Sequence, residues 1–293
     1  MSIDTGTARV ERDPDHPDRV TLHVNGVPSS ALDLADPGFL DFEYMQQMAA
    51  VLAGLPAGPL RVLHLGAAGC ALARYVEHER PGSRQLGVDV DARLLELVRG
   101  WFALPRAPRL RLRADDAGRA LASVPPASFD VVVRDVFAGD RTPDHLADAG
   151  FAAAAHRALR PGGVLLANCA DRPPLRLARR EAALLADAFG PDATNGTDTT
   201  GAADAGRLGV IAEHAVLKGR RYGNLVLVAV RAQPSSGSGT DDTADGDKKG
   251  DGAGSLGEAV LDLDDAGLAR RLRSLPVPAR LLAGDELARF AGA

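Results

Sequence analysis

From Pro59 onward the chain repeats one unit, a short apolar run followed by an amphipathic stretch, and this repetition restricts the fold more than any other feature. Residues 60–65 read as a strand, 70–79 as a helix, 84–89 as a strand, 91–102 as a helix and 109–113 as a strand. Helix 116–123, strand 129–134, helix 145–159, strand 164–168 and helix 174–189 continue the series. Strands alternating with helices of this length imply βαβ crossovers, a parallel sheet and helices on both of its faces. Two further strand-like runs, 209–217 and 224–231, are joined by Lys218-Gly219-Arg220-Arg221-Tyr222-Gly223. That link is too short for a parallel crossover, so the two runs should pair antiparallel. The expected fold is α/β, a mostly parallel doubly wound sheet that ends in an antiparallel hairpin.

The flanks divide the chain. Residues 1–54 should hold a small β-hairpin, from Ala8-Arg9-Val10 and the run 19–24 around the turn Asp13-Pro14-Asp15-His16-Pro17, and then a helix. Asp36-Pro37 supplies an N-cap with proline at the first helical position, and Phe42, Met45, Met48, Ala49 and Leu52 recur at helical spacing up to Gly54. Residues 55–231 form the Rossmann-like unit, with 191–207 as a loop insertion. Residues 232–257 read as a disordered acidic linker, because their Ser, Gly, Thr and Asp give nothing to bury. Residues 258–293 carry two helical patterns, 266–275 and 285–290.

With 293 residues and 45% apolar side chains, the chain can bury a sizeable core. Its 34 basic and 39 acidic residues leave a net charge of −5, which excludes the positive excess on which nucleic-acid and anionic-membrane binding depend. The negative charge is concentrated on Asp241, Asp242, Asp245, Asp247 and Asp251 in the linker and on Asp192, Asp198 and Asp204 in the insertion, so the remainder is close to neutral. Two cysteines, Cys70 and Cys169, make neither a disulfide framework nor a metal site. No apolar run approaches the ~20 residues of a membrane span, and Met1 to Val10 lacks a signal-like stretch. A soluble cytoplasmic protein without metal, membrane or nucleic-acid partner is expected.

Chemistry should collect at the carboxyl ends of the strands, where open α/β sheets bind ligands. The first strand runs into its helix through Gly66-Ala67-Ala68-Gly69, small residues that admit a nucleoside-type ligand to the backbone beside the free N–H groups of a helix start. The next strand ends in Asp89-Val90-Asp91, roughly twenty residues after the loop, where an acid can accept ribose hydroxyls. Asp89 is the ribose candidate and Asp91 the N-cap of the following helix. The third strand ends at Asp115-Asp116, which either accept from an exocyclic amine or cap a helix. The fourth strand delivers Asp135, placed to act as a base. His64 reads as a satisfied core histidine, Cys70 as a packing residue, Trp101 and Phe102 as core, and Arg176, Arg179 and Arg180 as a solvated helix face.

These residues resemble the spermidine synthase family (polyamine aminopropyltransferases), a branch of the class I S-adenosylmethionine-dependent methyltransferases. The resemblance is carried by Val62-Leu63-His64-Leu65-Gly66, Arg80-Pro81-Gly82-Ser83-Arg84-Gln85-Leu86, Val131-Val132-Val133-Arg134-Asp135 and Arg221-Tyr222-Gly223-Asn224. It covers residues 24–231 and resumes at 275–290. It implies a methyltransferase-like Rossmann fold and a donor, decarboxylated S-adenosylmethionine or S-adenosylmethionine, against Gly66, Ala67 and Gly69. It also implies Asp89 on the ribose, Asp116 near the adenine beside the strand-end Asp115, Asp135 as base toward a small-molecule amine acceptor, Tyr44 at the acceptor, and a homodimer.

The sequence departs from that family where a second acid is expected, since Asp135-Val136-Phe137-Ala138 stands in place of Asp-Ser-Ser-Asp. Ser29 replaces a glutamine, and Met45 replaces a polar residue. A buried ammonium without a partner is costly, so the apolar step after Asp135 would hold a dication poorly. Asp140 is the substitute acid within reach of the same loop. Two alternatives stay open beside aminopropyl transfer: methyl transfer to a less cationic acceptor, and nucleoside binding without catalysis.

Overall fold

In the computed structural model, residues 1–139, 141–190, 208–233 and 260–292 are described. The first unit is built from strands β1 (Ser2–Ile3), β2 (Gly6–Arg12), β3 (Arg19–Val24) and β4 (Val27–Asp33), with Val20 and Leu22 of β3 alternating into the core. They pair antiparallel in that order, so the expected hairpin is the central pair of a four-stranded sheet. The fourth strand carries Pro28 and two serines, a composition that hides a strand from a propensity reading. Helix α1 (Glu43–Leu52) begins six residues later than Asp36-Pro37 suggests, because Asp36 turns its carboxylate onto Gly38 N at 2.8 Å in a local turn.

The α/β unit follows as β5 (Arg61–Leu65), α2 (Ala71–Glu79), β6 (Arg84–Asp89), α3 (Ala92–Trp101), β7 (Leu110–Ala114), α4 (Ala117–Ser123) and β8 (Phe129–Arg134). Then come α5 (Ala149–Ala158), β9 (Leu159–Asp171), α6 (Arg176–Phe189), β10 (Leu208–Glu213), α7 (His214–Leu217), β11 (Gly223–Val230), α8 (Ala266–Arg273), β12 (Ala279–Ala283) and α9 (Gly284–Gly292). Helix α5 starts after residue 145 because Asp148 caps it, accepting from Phe151 N at 2.8 Å. The expected strand 209–217 stops at Glu213 and closes in the one-turn helix α7. The C-terminal stretch inserts β12 between its two helices. The insertion 191–207 and most of the acidic linker lie outside the described residues, as does Asp140.

The main sheet has the order β7-β6-β5-β8-β9-β11-β10-β12. Strands β7 to β9 are parallel, β11 runs antiparallel between β9 and β10, and β12 adds antiparallel to β10. The chain winds outward from β5 to β7, then returns to place β8 on the other side of β5, so the switch point lies between the carboxyl ends of β5 and β8. Alternation along the strands sends Val62, Val131, Val133, Leu166 and Val226 to one face, against α1, α2, α3, α8 and the N-terminal sheet. Leu63, Leu65, Val132, Leu165 and Leu227 face α4, α5, α6 and α9 on the other. Among the described residues no helix is long and apolar enough to cross a membrane.

Candidate active site

The end of β8 places Asp135 at the switch point, with its N–H donating to Leu65 O at 2.8 Å. Its side chain shares the face of α1. Tyr44 of α1, buried, donates its hydroxyl to Asp135 Oδ2 at 2.8 Å, and Asn168 of β9 donates Nδ2 to Oδ1 at 3.0 Å. Burial raises the Asp135 pKa above the ordinary carboxyl value, while the two hydrogen bonds and the Arg134 charge pull it down. Burial, and then the Asp135 charge, hold Tyr44 well above the usual phenol value, so it stays a donor. Asn168 is 1% exposed and its Oδ1 has no partner among the described residues.

Residue 134 points the opposite way. Arg134 is buried on the α5/α6 face, paired to Glu181 at 2.6 Å, and donates to Leu146 O at 2.8 Å and to Asn168 O at 2.7 Å. It therefore fixes the backbone of the residue that orients Asp135. Neither Asn168 nor Arg134 was singled out for the site from sequence. Asn168 lies 33 residues from its partner Asp135, and only strand adjacency joins the two.

The loop after β5 approaches Asp135 closely. Gly66 has φ +86°, and a Cβ there would lie 2.1 Å from the Asp135 carbonyl oxygen. Gly66→Ala should cost about 2–3 kcal/mol in denaturant unfolding. Gly82→Ala is the control, with the same φ of +86° but its nearest neighbour at 3.9 Å. It should cost only the strain of a left-handed residue, about 1–2 kcal/mol.

The free N–H groups expected of this loop are corrected by the structure. Gly66 and Ala67 donate to Val88 O, Ala68 to Asp89 Oδ2 at 3.0 Å, Gly69 to Ser30 Oγ at 3.0 Å and Cys70 to Ala67 O. The loop offers a close backbone surface rather than donors. Ser30, not Ser29, reaches it; Ser29 closes locally on Val27 O.

Asp89 ends β6 and accepts from Ala68 N and Asp91 N, and burial raises its pKa. Asp91 caps α3 through Leu94 N at 2.7 Å and also binds Thr5, which fastens the N-terminal sheet. Asp115 pairs with Arg113 and Arg119, and Asp116 caps α4 and meets His145 Nε2 at 3.0 Å. Val90, between Asp89 and Asp91, is 66% exposed and presents an apolar surface at this end of the sheet. His64 bonds Gln85 Oε1 at 2.8 Å, and burial lowers its pKa to about 4. Cys70 is buried, its thiol pushed up to about 12. Arg179 is not part of a solvated face, since its guanidinium lies over Phe290 and donates to Phe290 O, docking α9 on α6. Among the described residues no group of three His, Cys, Asp or Glu side chains could hold a metal ion.

No family model matches the chain. A polyamine aminopropyltransferase of Chromobacterium violaceum is 27% identical over 149 residues, 50% of this chain and 57% of that protein. The chain thus spans little more than half the length of this curated relative. A probable spermidine synthase from Corynebacterium glutamicum shares 33% identity with TM-score 0.80, covering 100% of this chain and 93% of that one. The spermidine synthase of Thermotoga maritima, at 15% identity, shares the fold with TM-score 0.54 over 79% of this chain and 72% of that one.

Proposed function

The chain belongs to the spermidine synthase family, and from that premise we propose that it is a transferase moving an aminopropyl group from decarboxylated S-adenosylmethionine to an amine, with Asp135 as base. The observation that carries this reading is the carboxylate of Asp135, held at the switch point by Tyr44 and Asn168 beside a loop that only glycine at position 66 permits.

An ammonium has no lone pair, so the acceptor must lose a proton before it attacks. Asp135 holds the cation, then takes that proton, and its raised pKa brings it closer to the amine it must deprotonate. The nitrogen lone pair forms a C–N bond at the carbon beside the sulfonium while the C–S bond breaks. Its electron pair returns to sulfur, and methylthioadenosine leaves as a neutral thioether. Gly66, Ala67 and Gly69 supply the close surface for the donor, Asp89 the ribose acceptor and Val90 an apolar wall. Asp115 and Asp116 close the adenine side, and Tyr44 orients Asp135 toward the acceptor.

A second reading, methyl transfer from S-adenosylmethionine, is favoured by one observation. Val136 is half-buried in the cluster against α4, α5 and α6 and Phe137 is 36% exposed, so the two residues that follow the base are apolar and bring it no charge. Incubating the full chain and an amine with each donor in parallel separates the two. The aminopropyl reading expects methylthioadenosine from the decarboxylated donor. S-adenosylhomocysteine as the sole product would replace it with methyl transfer. Absence of calorimetric binding by methylthioadenosine and both donors would overturn both.

A further inference from the structure

The loop after Asp135 supplies no second carboxylate from Val136, Phe137 or Ala138, but the structure brings one from elsewhere. Glu43 is the first residue of α1, and its side chain leaves the same turn as that of Tyr44. Asn224 of β11 donates Nδ2 to Glu43 Oε1 at 3.0 Å, across 181 residues of sequence. An acid in the first helical turn is ordinarily explained by the helix dipole. That explanation does not require an asparagine from a sheet strand to hold it.

The register of β9 and β11 gives the arrangement its meaning. Asn168 lies opposite Val226 and Ala170 opposite Asn224, so Asn168 and Asn224 project from the same face. They are diagonal neighbours, about 7–8 Å apart. Each offers a carboxamide N–H to a carboxylate, Asn168 to Asp135 and Asn224 to Glu43. The Asn168 carboxamide, beside Asp135, keeps a buried Oδ1 that still requires a hydrogen-bond donor. Two fixed carboxylates, one held by Tyr44 and Asn168 and the other by Asn224, and an unpartnered acceptor atom match a ligand that carries N–H donors and positive charge at two points.

We propose that Glu43 is a specificity residue of the acceptor site, a second carboxylate carried by α1 that holds the distal ammonium of an acceptor whose other nitrogen lies at Asp135. The assignment rests on the acceptor reading of Asp135 given above. It makes the missing acid at Ala138 a relocation rather than a loss. Glu43 stays half-buried and accessible, so the desolvation cost of its charge is small while it waits for a cation.

Calorimetry on the full chain with methylthioadenosine present tests it, using 1,4-diaminobutane against 1-aminobutane. The wild type should bind the diamine at least about tenfold more tightly. Glu43→Gln should bring the diamine to the level of the monoamine, leave monoamine and methylthioadenosine affinities unchanged, and keep the wild-type melting temperature to within a few degrees. Glu43→Asp, which keeps the charge on a shorter stem, should restore part of the preference. A wild type without preference, or a Glu43→Gln protein that keeps it, overturns the assignment. Product analysis separates this result from the reaction. Glu43-dependent diamine binding without aminopropyl product removes the transfer reading and leaves Glu43 in place. Aminopropyl transfer whose diamine KM is unmoved by Glu43→Gln does the reverse.

Discussion

Asp135→Asn should lower turnover by about 10²–10⁴-fold, the range a positioned general base contributes, without weakening the fold. Asparagine keeps the size of the side chain and can still accept from Asn168 and meet the Tyr44 hydroxyl, so packing around α1 survives. The carboxyl pKa is raised in the folded state, chiefly by burial. The proton is therefore bound more tightly folded than unfolded. The stability this provides is present below the unfolded value and is lost as pH rises through the folded one. At neutral pH the ionised side chain is a cost, and the neutral amide removes it. Thermal melts at pH 7 should show the variant equal to or above the wild type, with the advantage shrinking toward pH 4. Wild-type turnover should fall as pH drops through the same raised pKa, because protonation removes the base. A variant that retains wild-type kcat would take Asp135 out of the chemistry.

Arg134→Met should have the largest effect on stability, about 3–5 kcal/mol, because it strands Glu181 as a buried charge. The side chains of this pair are 1% and 8% exposed, so water cannot replace the guanidinium. The Asn168 and Leu146 carbonyls lose their donor in the same step. Denaturant unfolding of Arg134→Met, Glu181→Leu and the double variant forms the relevant cycle. The double variant should recover much of the loss, since two well-packed apolar side chains replace a desolvated ion pair. It should still turn over slowly, because the backbone of Asn168, which orients Asp135, is no longer tied down. Full activity in the double variant would show that Arg134 serves stability alone.

Strand and helix alternation after Pro59 was legible because the central strand β8 carries a continuous apolar run, Val131-Val132-Val133, and the helices between the strands are amphipathic. Asp135 and Tyr44 were legible as chemistry, though their contact spans 91 residues and follows only from α1 packing on β10 and β11 beside the end of β8. Val27–Asp33 and Ala279–Ala283 escaped because a strand paired on an edge needs no continuous apolar run, and Pro28, Ser29 and Arg280 mask both. Asn168 and Asn224 look like ordinary strand polar residues until the register puts them on one face. The engaged amides of Gly66 to Cys70 were misjudged for a related reason. A helix start has free donors in isolation, but here Asp89 and Ser30 arrive from distant elements to take them.

The strand at the C-terminal edge has a consequence for colloidal behaviour. The open edge of the sheet at β7 carries Arg111 and Arg113, and the other at β12 carries Arg280, which repel an incoming strand. Behind β12 lies β10, whose Leu208-Gly209-Val210-Ile211-Ala212 is wholly buried and without charge. That segment is a template for intermolecular pairing once uncovered. Ala279–Ala283 thus acts as a gatekeeper: chains clipped before it would self-associate through β10 long before the β5–β8 side of the sheet lost its shape.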